Sequence, residues 1–125
     1  MNKLESKEDY LERILMLSQK NGSVRSIDIA HDMGFSKPSV SVAMKKLREG
    51  GFITVDKEGL ISLTEEGRKI AEKTYERHKV IKSILISIGV SDSIAEDDAC
   101  KIEHELSDET FAKIREVYNN GKHRN

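Results

Sequence analysis

The stretch from Ser26 to Leu63, SIDIAHDMGFSKPSVSVAMKKLREGGFITVDKEGLISL, decides the fold. Ile27, Ile29 and Ala30 predict a short helix over Ser26–Met33 with these three side chains inward, and Gly34 breaks it. Ser36 is suited to cap a second helix, with Pro38 in the first turn, where a missing N–H costs nothing. Val40, Ala43, Met44 and Leu47 follow at spacings of three and four, and Gly50-Gly51 stops the pattern. Two short β-prone runs come next, Phe52–Val55 and Leu60–Leu63, with Asp56-Lys57-Glu58-Gly59 as the turn between them.

Working outward, Ser6 is a candidate cap for a first helix, with Glu8 and Asp9 in its opening turn. Tyr10, Leu11, Ile14, Leu15 and Leu17 form its apolar stripe, and Asn21-Gly22 ends it. Past the β segments, Thr64 caps a long helix that runs towards Ile88 and stops at Gly89. A fifth helix is expected over Ser93 to about Leu106. Ser107 caps a sixth, from Asp108 to about Tyr118, and the polar tail Asn119–Asn125 is expected to fray. Helix, helix, tight Gly34-Phe35 turn, helix and β-hairpin is the order of a winged helix-turn-helix. The predicted class is therefore mainly α with a small β-hairpin wing. Residues 1–70 form the DNA-binding domain and 71–125 a helical second domain, linked by the helix from about 65 to 88.

Composition sets the outer limits. At 125 residues, one domain or two very small ones are expected. Trp is absent and aromatics are 5%, so the core rests on aliphatic side chains. The net charge of −1 is not that of a generally basic nucleic-acid binder, so any DNA-binding charge must be local. A single Cys excludes an intrachain disulfide and favours a reducing, cytoplasmic setting. No apolar run is long enough to span a membrane, and the first residues lack the apolar core of a signal peptide.

The third helix carries such local charge. Lys37, Lys45, Lys46 and Arg48 stand against Glu49, enough to neutralise several phosphates. Its N-terminal residues are the ones expected to meet base edges in a major groove. Ser36, Ser39 and Ser41 are small and polar, which permits close backbone approach.

A second group of residues has the chemistry of a metal site. Asp9 and Glu12, three apart, share a face of the first helix. Cys100, Glu103 and His104, at i, i+3 and i+4, share a face of the fifth. His78 lies on the long helix. Carboxylate, thiolate and imidazole together suit a divalent transition metal. Each residue by itself also reads as an ordinary surface acid, core cysteine or structural histidine.

The set gains meaning from a resemblance. Asp97-Asp98-Ala99-Cys100-Lys101-Ile102-Glu103-His104-Glu105-Leu106-Ser107 closely resembles the metal-binding helix of the diphtheria toxin repressor and manganese transport regulator family. Tyr75-Glu76-Arg77-His78 looks like the family's His-bearing stretch, and Ser36-Lys37-Pro38-Ser39-Val40-Ser41 like the start of its recognition helix. Glu8-Asp9-Tyr10-Leu11-Glu12 resembles its first helix, and Leu63-Thr64-Glu65-Glu66-Gly67 its exit from the wing. The likeness spans about residues 5 to 118, and the expectation it gives is a short form without the SH3-like domain.

That resemblance implies a homodimeric, metal-dependent repressor of metal-uptake genes, held together by the fifth and sixth helices and reading a palindromic double-stranded operator. The implied metal ligands are Asp9, Glu12, His78, Cys100, Glu103 and His104. The implied DNA contacts are Ser36, Lys37, Pro38, Ser39, Ser41, Val42, Lys45 and Lys46. Val42 stands where the iron branch has a Gln, so the operator should differ, with Val42 suited to a thymine methyl. Asp9 matches the manganese branch and Cys100 the iron branch, which leaves Fe(II) and Mn(II) both open, with other divalent ions as surrogates. Lys82 replaces a Glu of the iron branch's ancillary site and argues against that site here. The competing readings are a winged-helix regulator that senses no metal and a small metallohydrolase. No His-Glu-x-x-His motif supports the latter.

Overall fold

The computed structural model describes residues 7–124, with side chains described for 7–121. The expected cap at Ser6 lies outside the described residues. The chain forms two compact units, the first ending at Lys73 and the second beginning at Thr74.

The first unit contains α1 (Lys7–Asn21), α2 (Ser26–Met33), α3 (Lys37–Glu49), β1 (Ile53–Val55), β2 (Ile61–Leu63) and the start of α4 (Glu65–Ser87). The whole expected stripe of α1, Tyr10, Leu11, Ile14, Leu15 and Leu17, is buried. The α2, α3 and wing residues Ile29, Val40, Met44, Leu47, Ile53 and Ile61 are buried with it. Each such side chain contributes about 1.5–3 kcal/mol when removed from water. Tyr10 meets Phe35 of the tight turn edge to face, with ring centroids 6.1 Å apart. Ile27, expected inward, is 36% exposed. Two positions from Ile29 it points about 200° away around the helix, so both cannot face one core.

Local chemistry fixes the turns as read. Gly34 closes α2 in the left-handed region at φ 73°, donating to the Ala30 carbonyl. Ser36 caps α3, its hydroxyl oxygen accepting from Ser39 N–H at 3.2 Å, with Pro38 in the first turn. The strands pair antiparallel with Ile53 opposite Leu63 and Val55 opposite Ile61. In the turn, the Asp56 carboxylate accepts from the N–H groups of Glu58 and Leu60, both at 2.9 Å. The Val24 carbonyl accepts from Ile61 N–H at 2.8 Å, which ties the wing to the loop before α2.

Thr64 anchors the exit from the wing. Its hydroxyl donates to Gly51 O at 2.7 Å and accepts from Gly67 N–H at 3.1 Å, and its N–H donates to Phe52 O at 3.0 Å. A Cβ at Gly67 would lie 2.0 Å from the Phe52 carbonyl oxygen. Only glycine lets α4 start this close to the strand backbone.

The second unit holds the rest of α4, α5 (Asp92–Ile102) and α6 (Asp108–Arg124) around Val80, Ile81, Ala95, Ala99 and Phe111. Three boundaries differ from expectation. The fifth helix starts at Asp92 and ends at Ile102, not Leu106. Beyond it Glu103 keeps helical angles and donates its N–H to Ala99 O at 3.0 Å, after which the chain turns. The cause is Arg77, which is 9% exposed and donates to the carbonyls of Glu103 (3.1 Å) and Leu106 (2.7 Å). The same guanidinium pairs with Asp108 and lies over the Phe111 ring. It takes up carbonyls at the end of α5 and links them to the start of α6. The sixth helix continues to Arg124, past the expected end near Tyr118. Its Ser107 cap is as expected, accepting from Thr110 N–H at 3.1 Å. No helix among the described residues is long and apolar enough to cross a membrane.

Candidate nucleic-acid interface and metal centre

On α3 the inward face holds Val40, Met44 and Leu47, all buried. The outward face holds Lys37, Pro38, Ser41, Val42, Lys45 and Lys46, all exposed, and Ser36 and Ser39 are exposed at its start. Every residue expected to touch DNA is thus accessible on one side of one helix. Val42 is 55% exposed, an apolar side chain presented to water on the outer face of α3. Ser36 also donates to Ser39 Oγ at 2.9 Å, so the two hydroxyls are already ordered by the cap.

The metal-ligand candidates divide between the units. In the first, α1 carries Asp9 and Glu12, 3% and 4% exposed. Each offers a carboxylate oxygen within 4.8 Å of the other's. Buried carboxylates are costly without a compensating cation or full hydrogen bonding, and two on one face of one helix compound the cost.

In the second unit, Glu103 and His104 at the end of α5 likewise offer ligand atoms within 4.8 Å of each other. Glu103 is 2% exposed. Its Oε1 lies 2.8 Å from His78 Nδ1. Its buried Oε2 accepts no hydrogen bond, with His104 Nε2 at 3.4 Å. Cys100 is half-buried on α5. Cys100 is on the helix, Glu103 at its cap and His104 in the turn beyond.

Burial pulls the His78 imidazole down, but hydrogen bonds to Glu103 and Glu96 and the charges of both carboxylates outweigh it, raising its pKa to about 9. At neutral pH the ring is cationic and Nδ1–H donates to Glu103. Its Nε2 lies 3.0 Å from Glu96 Oε2, at ion-pair distance but off the line of a straight hydrogen bond. Burial works to raise the Glu96 carboxyl, but Lys82 and His78 more than offset this, holding it below its usual range. Lys82 Nζ is 2.9 Å from Glu96 Oε1. Glu96 had no place among the sequence candidates. It lies one turn before Cys100, which was the available signal, but an acid on a charged helix looks like a solvated one.

The donor set of buried carboxylates, imidazoles and a nearby thiol fits a divalent transition metal, with the unsatisfied, buried Glu103 Oε2 as its clearest mark. Two family models match the chain. Residues 3–60 match the iron dependent repressor N-terminal DNA binding domain, and residues 64–124 the iron dependent repressor metal binding and dimerisation domain. The chain is 37% identical over 108 residues to the transcriptional regulator MntR of Escherichia coli O6:H1, covering 86% of this chain and 70% of that protein. It is 34% identical over 113 residues to an uncharacterised HTH-type transcriptional regulator of Methanocaldococcus jannaschii, covering 89% and 90%. Among solved structures it resembles the manganese regulator SloR, with a TM-score of 0.80 and 30% identity over 91% of this chain and 54% of that one. The chain spans about half the length of that structure.

Proposed function

Because this chain belongs to the iron-dependent repressor family of transcriptional regulators, we propose that it is a DNA-binding regulator switched by a divalent transition-metal ion, Fe(II) or Mn(II). The observation that carries the reading is three buried carboxylates, Asp9 and Glu12 on α1 and Glu103 at the end of α5, accompanied by His78 and His104. Those five residues, with Cys100 near them, would hold the ion. When bound, it would supply the positive charge that offsets the cost of burying carboxylates.

The protein's own residues do the rest. Asp9 and Glu12 lie on a helix whose apolar residues Leu11, Ile14 and Leu15 are buried in the winged unit's core. A constraint on α1 therefore reaches α3 through packed side chains, which transmit displacement instead of absorbing it. Arg77 holds the Glu103 carbonyl and so sets where that carboxylate stands. Coordination by Asp9 and Glu12 would constrain α1 and so favour one placement of the recognition helix among several. The gain in operator affinity cannot exceed the ion's preference for that placement.

On α3, Lys37, Lys45 and Lys46 neutralise phosphates, while Ser36, Pro38, Ser39, Ser41 and Val42 approach the base edges. A homodimer places two such helices on a palindromic operator, with half-sites about one helical turn or a multiple apart. An apolar cavity of about 420 Å3, lined among others by Ile81, Leu85, Ile102 and Ile114, supports pairing of the second unit with another copy. The regulator works in the cytoplasm, as a repressor of metal-uptake genes.

The test is anaerobic titration of the purified chain with Mn(II) and Fe(II), with bound metal counted, followed by operator selection from random DNA with and without metal. The reading expects tight binding of metal and selection of a palindrome only in its presence. A palindrome selected equally well without metal would leave a winged-helix regulator with another trigger.

A further inference from the structure

His78 stands between two carboxylates. Its Nδ1 is 2.8 Å from Glu103 Oε1, and its Nε2 is 3.0 Å from Glu96 Oε2. The two acids differ in what else they touch. Glu103 is 2% exposed, and its second oxygen accepts no hydrogen bond. The second oxygen of Glu96 is 2.9 Å from Lys82 Nζ, which also lies 3.6 Å from Asp92 Oδ1. Lys82 is four residues beyond His78 on α4, so the ammonium and the imidazole emerge on one face, towards Glu96 on α5.

A carboxylate already paired with a fixed ammonium is a poor ligand for a divalent ion and a good anchor for a ring N–H. A metal-bound histidine needs such an anchor, because the partner of its second nitrogen sets the ring orientation and the atom left free to coordinate. We infer that Glu96 and Lys82 are positioning residues for His78: Lys82 fixes the Glu96 carboxylate, that carboxylate faces Nε2 at ion-pair distance, and Nδ1 is the atom presented to the ion. This rests on the reading of His78 as a metal ligand. Glu103 Oε1, 2.8 Å from Nδ1, is on the ligand side of the ring.

The test uses the full chain. Histidine 15N spectra of the Zn(II)- or Cd(II)-loaded protein report which ring nitrogen is coordinated, and calorimetry gives Mn(II) affinity for the wild type, His78→Ala, Glu96→Ala, Lys82→Met and Lys82→Arg. Coordination through Nδ1 with a slowly exchanging Nε2–H is expected. Glu96→Ala should lower Mn(II) affinity about 10–100-fold. Lys82→Met should lower it about two- to fivefold, and Lys82→Arg should restore it. The Lys82→Met arm is discriminating, because removal of a positive charge near a cation would by itself tighten binding. If Glu96→Ala fails to fold, Glu96→Gln keeps the shape, weakens the Lys82 pair and is expected to lose several-fold in affinity. Coordination through Nε2, unchanged affinity in the Glu96 variant, or tighter binding by Lys82→Met overturns the inference. Unchanged affinity in His78→Ala would instead remove His78 from the ligand set, a different failure.

Discussion

Raising the pH from 7 to 9 should strengthen metal binding by about fiftyfold through His78. Glu103 and Glu96 raise this imidazole from 6.5 to about 9 against the opposing effect of burial. At pH 7 the ring therefore holds its extra proton in roughly 99 of 100 metal-free molecules, and a ligand nitrogen must give that proton up. Each pH unit below about 9 costs about 1.4 kcal/mol of apparent binding free energy, a factor of ten. The metal-free fold should respond with the opposite sign. A group whose pKa is raised by folding stabilises the fold fully below the unfolded value of 6.5, and that contribution is lost as pH rises through about 9. The loss is at most on the order of 3 kcal/mol. The assay is calorimetry with Mn(II) near pH 7.5 in two buffers of different ionisation enthalpy, which counts protons released per ion. His78 accounts for about one, and a coordinating Cys100 thiol would add another, since a free thiol is mostly protonated there. In His78→Gln the count should fall by about one, and affinity should lose a tenfold-per-unit dependence on pH. A proton count and pH slope unaffected by His78→Gln would refute the reasoning.

Other consequences are as direct. Lys46→Ala should weaken operator binding across all sequences and reduce the salt slope by about one, while an unchanged slope takes Lys46 off the phosphate list. Gly67→Ala drives a methyl to 2.0 Å from the Phe52 carbonyl oxygen and should cost about 3 kcal/mol in chemical denaturation, whereas a neutral result would mean that α4 can shift freely at its start. Cys100→Glu should move the metal preference towards Mn(II) over Fe(II), because a hard oxygen replaces a soft sulfur. Competition titration that finds the preference unaltered would show that the thiol does not select the ion.

Much of the architecture was legible because it is written in local chemistry. The α1 stripe from Tyr10 to Leu17 is buried throughout, and Ser36, Thr64 and Ser107 each accept a backbone N–H from three residues ahead. Such signals act within a turn or two of helix, the range over which a single sequence can be read. The misplaced features depend on partners far along the chain. Arg77 ends α5 early by taking carbonyls 26 and 29 residues away. Glu96 matters because Lys82 and His78 of another helix meet it. Asn119-Asn120-Gly121 resembles a stop signal, yet α6 continues through it to Arg124. Asp9 and Glu12 are legible as a pair from their spacing, gain meaning from the family likeness, and are buried on α1.

The central proposal is that Asp9, Glu12, Glu103 and His104 are ligands of a divalent ion. Mn(II) affinity measured in a cycle of Glu12→Ala, His104→Ala and the double variant tests it most directly. The account predicts that each single change costs at least about tenfold and abolishes the operator response, and that the double change departs from the sum of the two, as ligands of one centre must. A Glu12→Ala protein that binds Mn(II) as tightly as the wild type while His104→Ala does not would contradict it.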